Sequence, residues 1–225
     1  MFSLEGLVSE VSMEAFTLLR FDNSVVFEDD EISVRGYSGG LVGAHSNGTI
    51  FFFVVAGYMA VNSYHVSAGM YGMADARDFR CYARYGCNAM LVAAKHYRGV
   101  FTIGGPIERR GRLQYIDGCT DSGLIAPMVK GDPCLNYLHF PRWIKQTPHV
   151  HPSHRVGAVF DGRGICHTEN APVPLQAGSM FMIPAYTLHH FENENDEMRI
   201  VAFHPSSTFG PTDESHQMYD ETIFP

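Results

Sequence analysis

In the stretch QTPHVHPSHRVG, His149 and His151 stand two residues apart. On an extended strand that spacing sends both imidazoles to one face and Val150 to the other, so two ring nitrogens can meet one ion. A third histidine, His189, lies in GSMFMIPAYTLHHFEN, after Gly178 and Pro184. In a barrel, that separation returns the chain to a neighbouring strand, where His189 completes a facial set of ligands and leaves three positions open for substrate and for oxygen or water. The bland alternative is three buried rings bonded to backbone, and retention of all three at ligand spacing weighs against it. His190 directly follows His189, points to the opposite face of a strand and reads as a packing group. His154 would face outward on a regular strand, but Pro152 breaks that regularity, which makes His154 the fallback fourth ligand. His139 and His167 sit on apparent strands and read as satisfied wall histidines.

The elements that must position these residues are strands. From Ser24 onward, short runs rich in Val, Ile, Phe and Tyr alternate with turn punctuation such as Asn47-Gly48, Asp117-Gly118, Asp161-Gly162 and Ala177-Gly178. The fold class is therefore all-β, a sandwich or barrel. Only the first segment, roughly Leu4 to Leu19, has apolar spacing that fits a helix. The Gly131-Asp132-Pro133 stretch is the best boundary, dividing the chain into residues 1–130 and 131–225. His45, His65 and His96 precede it and the other histidines follow it, so the chemistry belongs to the second half.

Composition narrows the classes of function. The chain has 225 residues, of which 45% are hydrophobic and 18% charged, a balance that supports a folded core and excludes disorder. With 16 Lys and Arg against 24 Asp and Glu the formal charge is −8, which gives a phosphate backbone no electrostatic attraction, so nucleic acid is not an expected partner. The apolar run Ile50 to Val61 falls short of the roughly 20 residues a membrane helix needs and reads as buried strand. No secretory pattern opens the chain, and Cys81, Cys87, Cys119, Cys134 and Cys166 are odd in number with no C-x-x-C pair. Reduced thiols in the cytoplasm are the expectation.

At His149, His151 and Gly162, and again at Gly178, Pro184, His189 and Asn193, the chain resembles the two motifs of the cupin superfamily. The first reads Gly, five residues, His-x-His, three or four residues, Glu, six residues, Gly. The second reads Gly, five residues, Pro-x-Gly, two residues, His, three residues, Asn. Trp143 stands where the first Gly belongs, Tyr186 replaces the Gly of Pro-x-Gly, and Arg155 occupies the Glu slot. The resemblance covers about residues 131 to 208 and implies a jelly-roll barrel (a double-stranded β-helix). The strand-rich segment from about Ser24 to Gln114 then looks like a degenerate first unit of a compact bicupin. The alternative is a single cupin with a long N-terminal elaboration.

The usual cupin pattern holds its metal with three His and one Glu, so Arg155 is the most informative departure. A guanidinium has no free lone pair and stays protonated, hence it cannot serve as a ligand. Three neutral donors leave the ion at +2 and favour an anionic chelating substrate. This set resembles those of cupin-type thiol dioxygenases, gentisate-type ring-cleaving dioxygenases and diketone-cleaving enzymes. The resemblance thus implies a mononuclear non-haem Fe(II) dioxygenase using O2, with one divalent ion per chain. A redox-neutral lyase, isomerase or epimerase using Zn, Mn or Ni is the alternative, as is a non-catalytic ligand-binding cupin. Arg155 would clamp a substrate carboxylate or pair with an acid on the outer face. Tyr186 would offer a hydroxyl near the third ligand or pack on the rim. A homodimer through exposed strand edges is the default assembly. In the tail, His204 and His216 would either fold across the barrel mouth or pack with the tail on the surface.

Overall fold

The computed structural model describes residues 15–43, 47–216, 218 and 221–223. The first half contributes β1 (Thr17–Leu19), β2 (Val25–Glu28), β3 (Ile32–Tyr37), β4 (Gly40–Gly43), β5 (Thr49–Ala56), β6 (Tyr58–Val61), β7 (Tyr64–Ser67), β8 (Tyr71–Asp75), β9 (Arg80–Ala83), β10 (Asn88–Ala94) and β11 (Thr102–Gly104). After these come β12 (Leu113–Gln114), a 3-10 turn at Ile116–Gly118, β13 (Thr120–Ile125), β14 (Cys134–Phe140), β15 (Arg155–Thr168), β16 (Pro172–Gln176), β17 (Met180–Ile183), β18 (His189–Glu192) and β19 (Met198–His204). All the pairings are antiparallel. They form a six-stranded sheet ordered β11-β8-β5-β10-β3-β2, a four-stranded sheet ordered β4-β9-β6-β7, and a nine-stranded sheet with the path β1-β17-β15-β19-β14-β13-β12.

The apolar run TIFFFVVA of β5 shows how the halves are joined. Along a strand side chains alternate between faces, and here both faces are covered, so no polar alternation is needed. Phe51, Phe53 and Val55 pack with Leu135, Tyr137, Val156, Met182 and Phe203 of the nine-stranded sheet. Ile50, Phe52 and Val54 pack on the other side with Met59, Val61, Val66 and Cys81 of the four-stranded sheet. Burying one Phe contributes about 1.5–3 kcal/mol, so Phe51 and Phe53 tie β5 to the second half while Phe52 anchors the four-stranded sheet on its other face. A third core, with Phe140, Val159, Phe181, Ile183 and Ile200, fills the barrel of the second half.

β15 is 14 residues long and serves both sides of that barrel. Its first part pairs with β17 and β19, and its second part with β16 and β18. The register shifts between Val159 and Asp161, next to Gly162, whose φ is +76°. A Cβ there would sit 1.7 Å from the Glu197 carbonyl oxygen, so this motif position admits only glycine.

One expectation changes. The N-terminal helix expected over Leu4–Leu19 lies outside the described residues up to residue 14, and Thr17–Leu19 is strand, with Leu18 opposite Phe181. An open edge of β17 outweighs a weak helical period in that segment. The positions that depart from the motif glycines, Trp143 and Tyr186, keep the backbone that glycine would adopt, with φ of +65° and +60°. A non-glycine residue in that region costs about 1–2 kcal/mol. The Tyr186 side chain is 71% exposed, so little packing offsets the strain. Tyr186→Gly is therefore expected to stabilise the fold by about 0.5–1 kcal/mol once the entropy of the unfolded glycine is subtracted. Urea denaturation reads this directly, and a lower midpoint in the variant would refute it.

Candidate metal centre

β14 ends at Phe140, and the chain then runs through residues 141–154 to β15, presenting His149 and His151 on the way; His189 opens β18. His149 and His189 face each other, and each backbone N–H donates to the other's carbonyl at 3.0 Å. The three rings stand with centroids 4.9, 4.7 and 5.2 Å apart and planes inclined by 74°, 54° and 52°. One nitrogen from each lies within 4.8 Å of the others. Inclined planes let three lone pairs point at a common centre.

The donor chemistry fits a divalent ion. His149 Nδ1–H donates to Thr147 O, and His189 Nδ1–H to Thr187 O, both at 2.8 Å. A carbonyl oxygen only accepts, so the proton sits on Nδ1 and the lone pair on Nε2, the tautomer a metal ligand needs. Burial first, then the charge of Arg155, pushes His151 down to about 3. Burial likewise pushes His189 down to about 4, against the opposing effect of its bond to Thr187. Both rings are neutral near pH 7 and keep their lone pairs free.

The three histidines open into a cavity of about 550 Å3 inside the second-half barrel. Alternation on its strands decides what faces in: Asp121 and Gly123 on β13, Asn136, Leu138 and Phe140 on β14, Phe181 and Ile183 on β17, Ile200, Ala202 and His204 on β19. Arg155, the first residue of β15, faces in as well, which excludes the outer-face ion pair. One terminal nitrogen, Nη1, donates to Ser153 O and Oγ at 2.9 and 2.8 Å and to His154 O at 3.1 Å, whereas Nε is buried without a partner. Burial pushes the guanidinium down to about 10, so it remains a cation at neutral pH. Asn136 Nδ2 donates to both Asp121 oxygens at 3.2 and 3.1 Å, leaving Asn136 Oδ1 buried and unpartnered. Burial raises the Asp121 carboxyl above its ordinary range, an effect that Asn136 partly offsets. Two of the three buried polar atoms lacking partners among the described residues thus face this one cavity.

The structure leaves two expected site residues out of the cavity. His154 is turned away from the metal cluster: its Nδ1 accepts from Ala185 N at 3.1 Å, its Nε2 lies 3.5 Å from Asp29, and its ring meets Phe27 edge-on. The bend at Pro152 therefore swings His154 toward the first-half sheet, and it is not a fourth ligand. The exposed Tyr186 side chain does not line the cavity; its backbone N–H serves the site instead, donating to His151 O at 2.7 Å. His204 belongs to β19 rather than to a tail crossing the mouth, and burial holds its imidazole well below the usual range. Sequence reasoning missed Asp121, Asn136, Tyr115 and Gln146, which also line the cavity. For Asp121 and Asn136 the signal was the alternation Asp121–Gly123 and Asn136–Leu138–Phe140, readable only once the inner face is known; Tyr115 and Gln146 lie outside the strands and carried none. Asn193, the last motif residue, braces the loops below: its side-chain oxygen accepts from Ile144 N at 2.9 Å and its amide donates to Pro141 O at 2.8 Å.

Three inclined imidazoles inside an antiparallel barrel define a candidate metal centre of the cupin type. Residues 140–204 match the family model described as the cupin domain, and that segment is a cupin domain. Over the whole chain the fold is similar to a cupin 2 conserved barrel domain protein from Leptotrichia buccalis, with 16% identity, TM-score 0.59, and 85% of this chain and 89% of that one covered. It is similar also to salicylate 1,2-dioxygenase from Pseudaminobacter salicylatoxidans, at 14% identity and TM-score 0.58 over 78% of this chain and 71% of that one. A third likeness, to protein Ylba from E. coli, covers 91% and 96% of the two chains at 13% identity and TM-score 0.56. No curated protein matches by sequence. At such identities these likenesses establish the cupin barrel fold.

Proposed function

We propose that the protein is a mononuclear non-haem Fe(II) dioxygenase acting on a small anionic substrate. The observation that carries this reading is the pairing of three neutral histidine donors with an inward-facing cation, Arg155, where a carboxylate ligand would otherwise stand. Fe(II) held by His149, His151 and His189 would supply the exchange of electrons between substrate and O2. The chain's own residues do the rest. Arg155 Nε, buried and unpartnered, donates to the substrate anion and neutralises it. Asn136 Oδ1 accepts from a hydroxyl, amine or amide on the same substrate, and the Asp121 carboxyl lies beside it. Phe140, Phe181, Ile183 and Phe191 exclude water from the wall. The strands from β2 to β11 read as a degenerate cupin unit whose six-stranded sheet supports the catalytic barrel, and that barrel takes β1, β12 and β13 from before the expected boundary at Gly131 as well as the strands after it.

The raised carboxyl of Asp121 favours one second reading, a redox-neutral lyase or isomerase on Zn, Mn or Ni, with Asp121 moving the proton. The two readings separate on a panel of small hydroxy, thiol and diketone acids offered to the iron-loaded and zinc-loaded protein in air and under argon. Oxygen uptake that needs both iron and an acid is expected. Turnover indifferent to argon would replace the first reading with the second.

A further inference from the structure

On the outer face of the same barrel wall stands a second set of metal donors that the cavity does not use. β15 and β18 pair with His167 opposite His190 and Ile165 opposite Glu192, so His167, His190 and Glu192 share one face. His189 points into the cavity from the same strand, and its neighbour His190 points out. One ligand atom from each of the three outer residues lies within 4.8 Å of the others, and all three side chains are half-buried.

The contacts within this cluster are those of donors rather than of a finished hydrogen-bond network. His167 Nε2 lies 3.2 Å from Glu192 Oε2, yet it is buried and has no hydrogen bond. It is the third buried polar atom without a partner among the described residues. The His167 and His190 rings stack at 4.6 Å with planes 6° apart, and His167 Nε2 makes no hydrogen bond among the described residues. An ion in the plane of one parallel ring lies off the plane of the other, so binding requires one ring to turn about its Cβ–Cγ bond. Lys145 Nζ, 3.6 Å from Glu192 on a mostly exposed side chain, is the cation that must yield.

We propose that His167, His190 and Glu192 bind a second divalent transition-metal ion on the outer face of β15 and β18. Two imidazoles and a carboxylate suit Zn(II), Co(II), Ni(II) or Cu(II). The carboxylate neutralises one of the ion's charges, and water completes the coordination from the solvent side. The ion would cross-link the two strands and pin β18, which presents His189 to the cavity. Its affinity is below that of the cavity site, because the cavity imidazoles already hold their tautomers and inclinations whereas the outer pair must rearrange.

Equilibrium dialysis of the metal-free full chain against excess Zn(II), with bound zinc measured by elemental analysis, tests the proposal. Two ions per chain are expected in the unmodified protein. One is expected in His167→Ala and in Glu192→Gln, which keep the cavity ion, and one in His149→Ala, which keeps the outer ion. Zinc should also raise the melting temperature of His149→Ala but not of the His149→Ala/His167→Ala double variant. A plateau of one ion in the unmodified chain, or unchanged zinc content in both His167→Ala and Glu192→Gln, would overturn the second site. Loss of an ion in His167→Ala but not in His149→Ala would sink the cavity assignment and leave this one standing.

Discussion

Replacing His189 with alanine is expected to strip the cavity of its divalent ion while leaving the barrel folded. The side chain is 2% exposed and offers one of three converging lone pairs. Four-ligand zinc sites carry about 10–16 kcal/mol of binding, or about 2.5–4 kcal/mol per ligand, so losing one donor should weaken the ion about 10²–10³-fold. The strand itself should survive, because His189 holds its register through backbone bonds to His149 that alanine retains. A competition titration with a chromophoric chelator, done at low zinc so that only the tighter site fills, gives the number. His154→Ala is the control and should keep the ion at full affinity, since that ring packs on Phe27 and faces Asp29. Full retention in His189→Ala would remove the basis of the metal centre.

The candidate three-histidine cluster was legible in the sequence for a simple reason. An i, i+2 pair of histidines on extended chain and a third at the return of a barrel strand are local patterns, and local patterns survive without knowledge of the fold. Arg155 was legible as a cation in a ligand slot, but its direction was not, because it depends on where the bend at Pro152 ends and β15 begins. That same bend carried His154 the other way. Asp121 and Asn136 were invisible as site residues for a different reason. Each occupies a strand position whose neighbours two along are ordinary wall residues, and the sequence does not label which face is inside. Thr17–Leu19 shows the opposite limit: a helical period lost to the pairing energy of a strand more than 160 residues away, at Met180–Met182.

Arg155→Glu is expected to hold the ion at least as tightly as the unmodified protein and to lose turnover by about 10²-fold or more. Glutamate at this position reaches into the same cavity as His149, His151 and His189 and adds an anionic oxygen to three neutral nitrogens. It closes a position left open for substrate, and it replaces the cation that meets the substrate anion with a second negative charge. Breaking a buried ion pair by removing one partner costs about 3–5 kcal/mol, which corresponds to about 10²–10³-fold or more in rate or binding. Arg155→Met separates these two effects, since it removes the cation without supplying a ligand. It should leave metal affinity near that of the unmodified chain and raise KM for anionic substrates more than it lowers kcat. The guanidinium also lowers the pKa of His151 and His189 through its charge, so either variant should ease protonation of both rings and shift the acid limb of metal binding upward in pH. In Arg155→Glu the carboxylate adds to that shift, and the limb should lie higher than in Arg155→Met. Identical limbs in all three proteins, together with unchanged turnover, would place the guanidinium outside the electrostatic field of the metal centre and leave the anionic substrate without its recognition group.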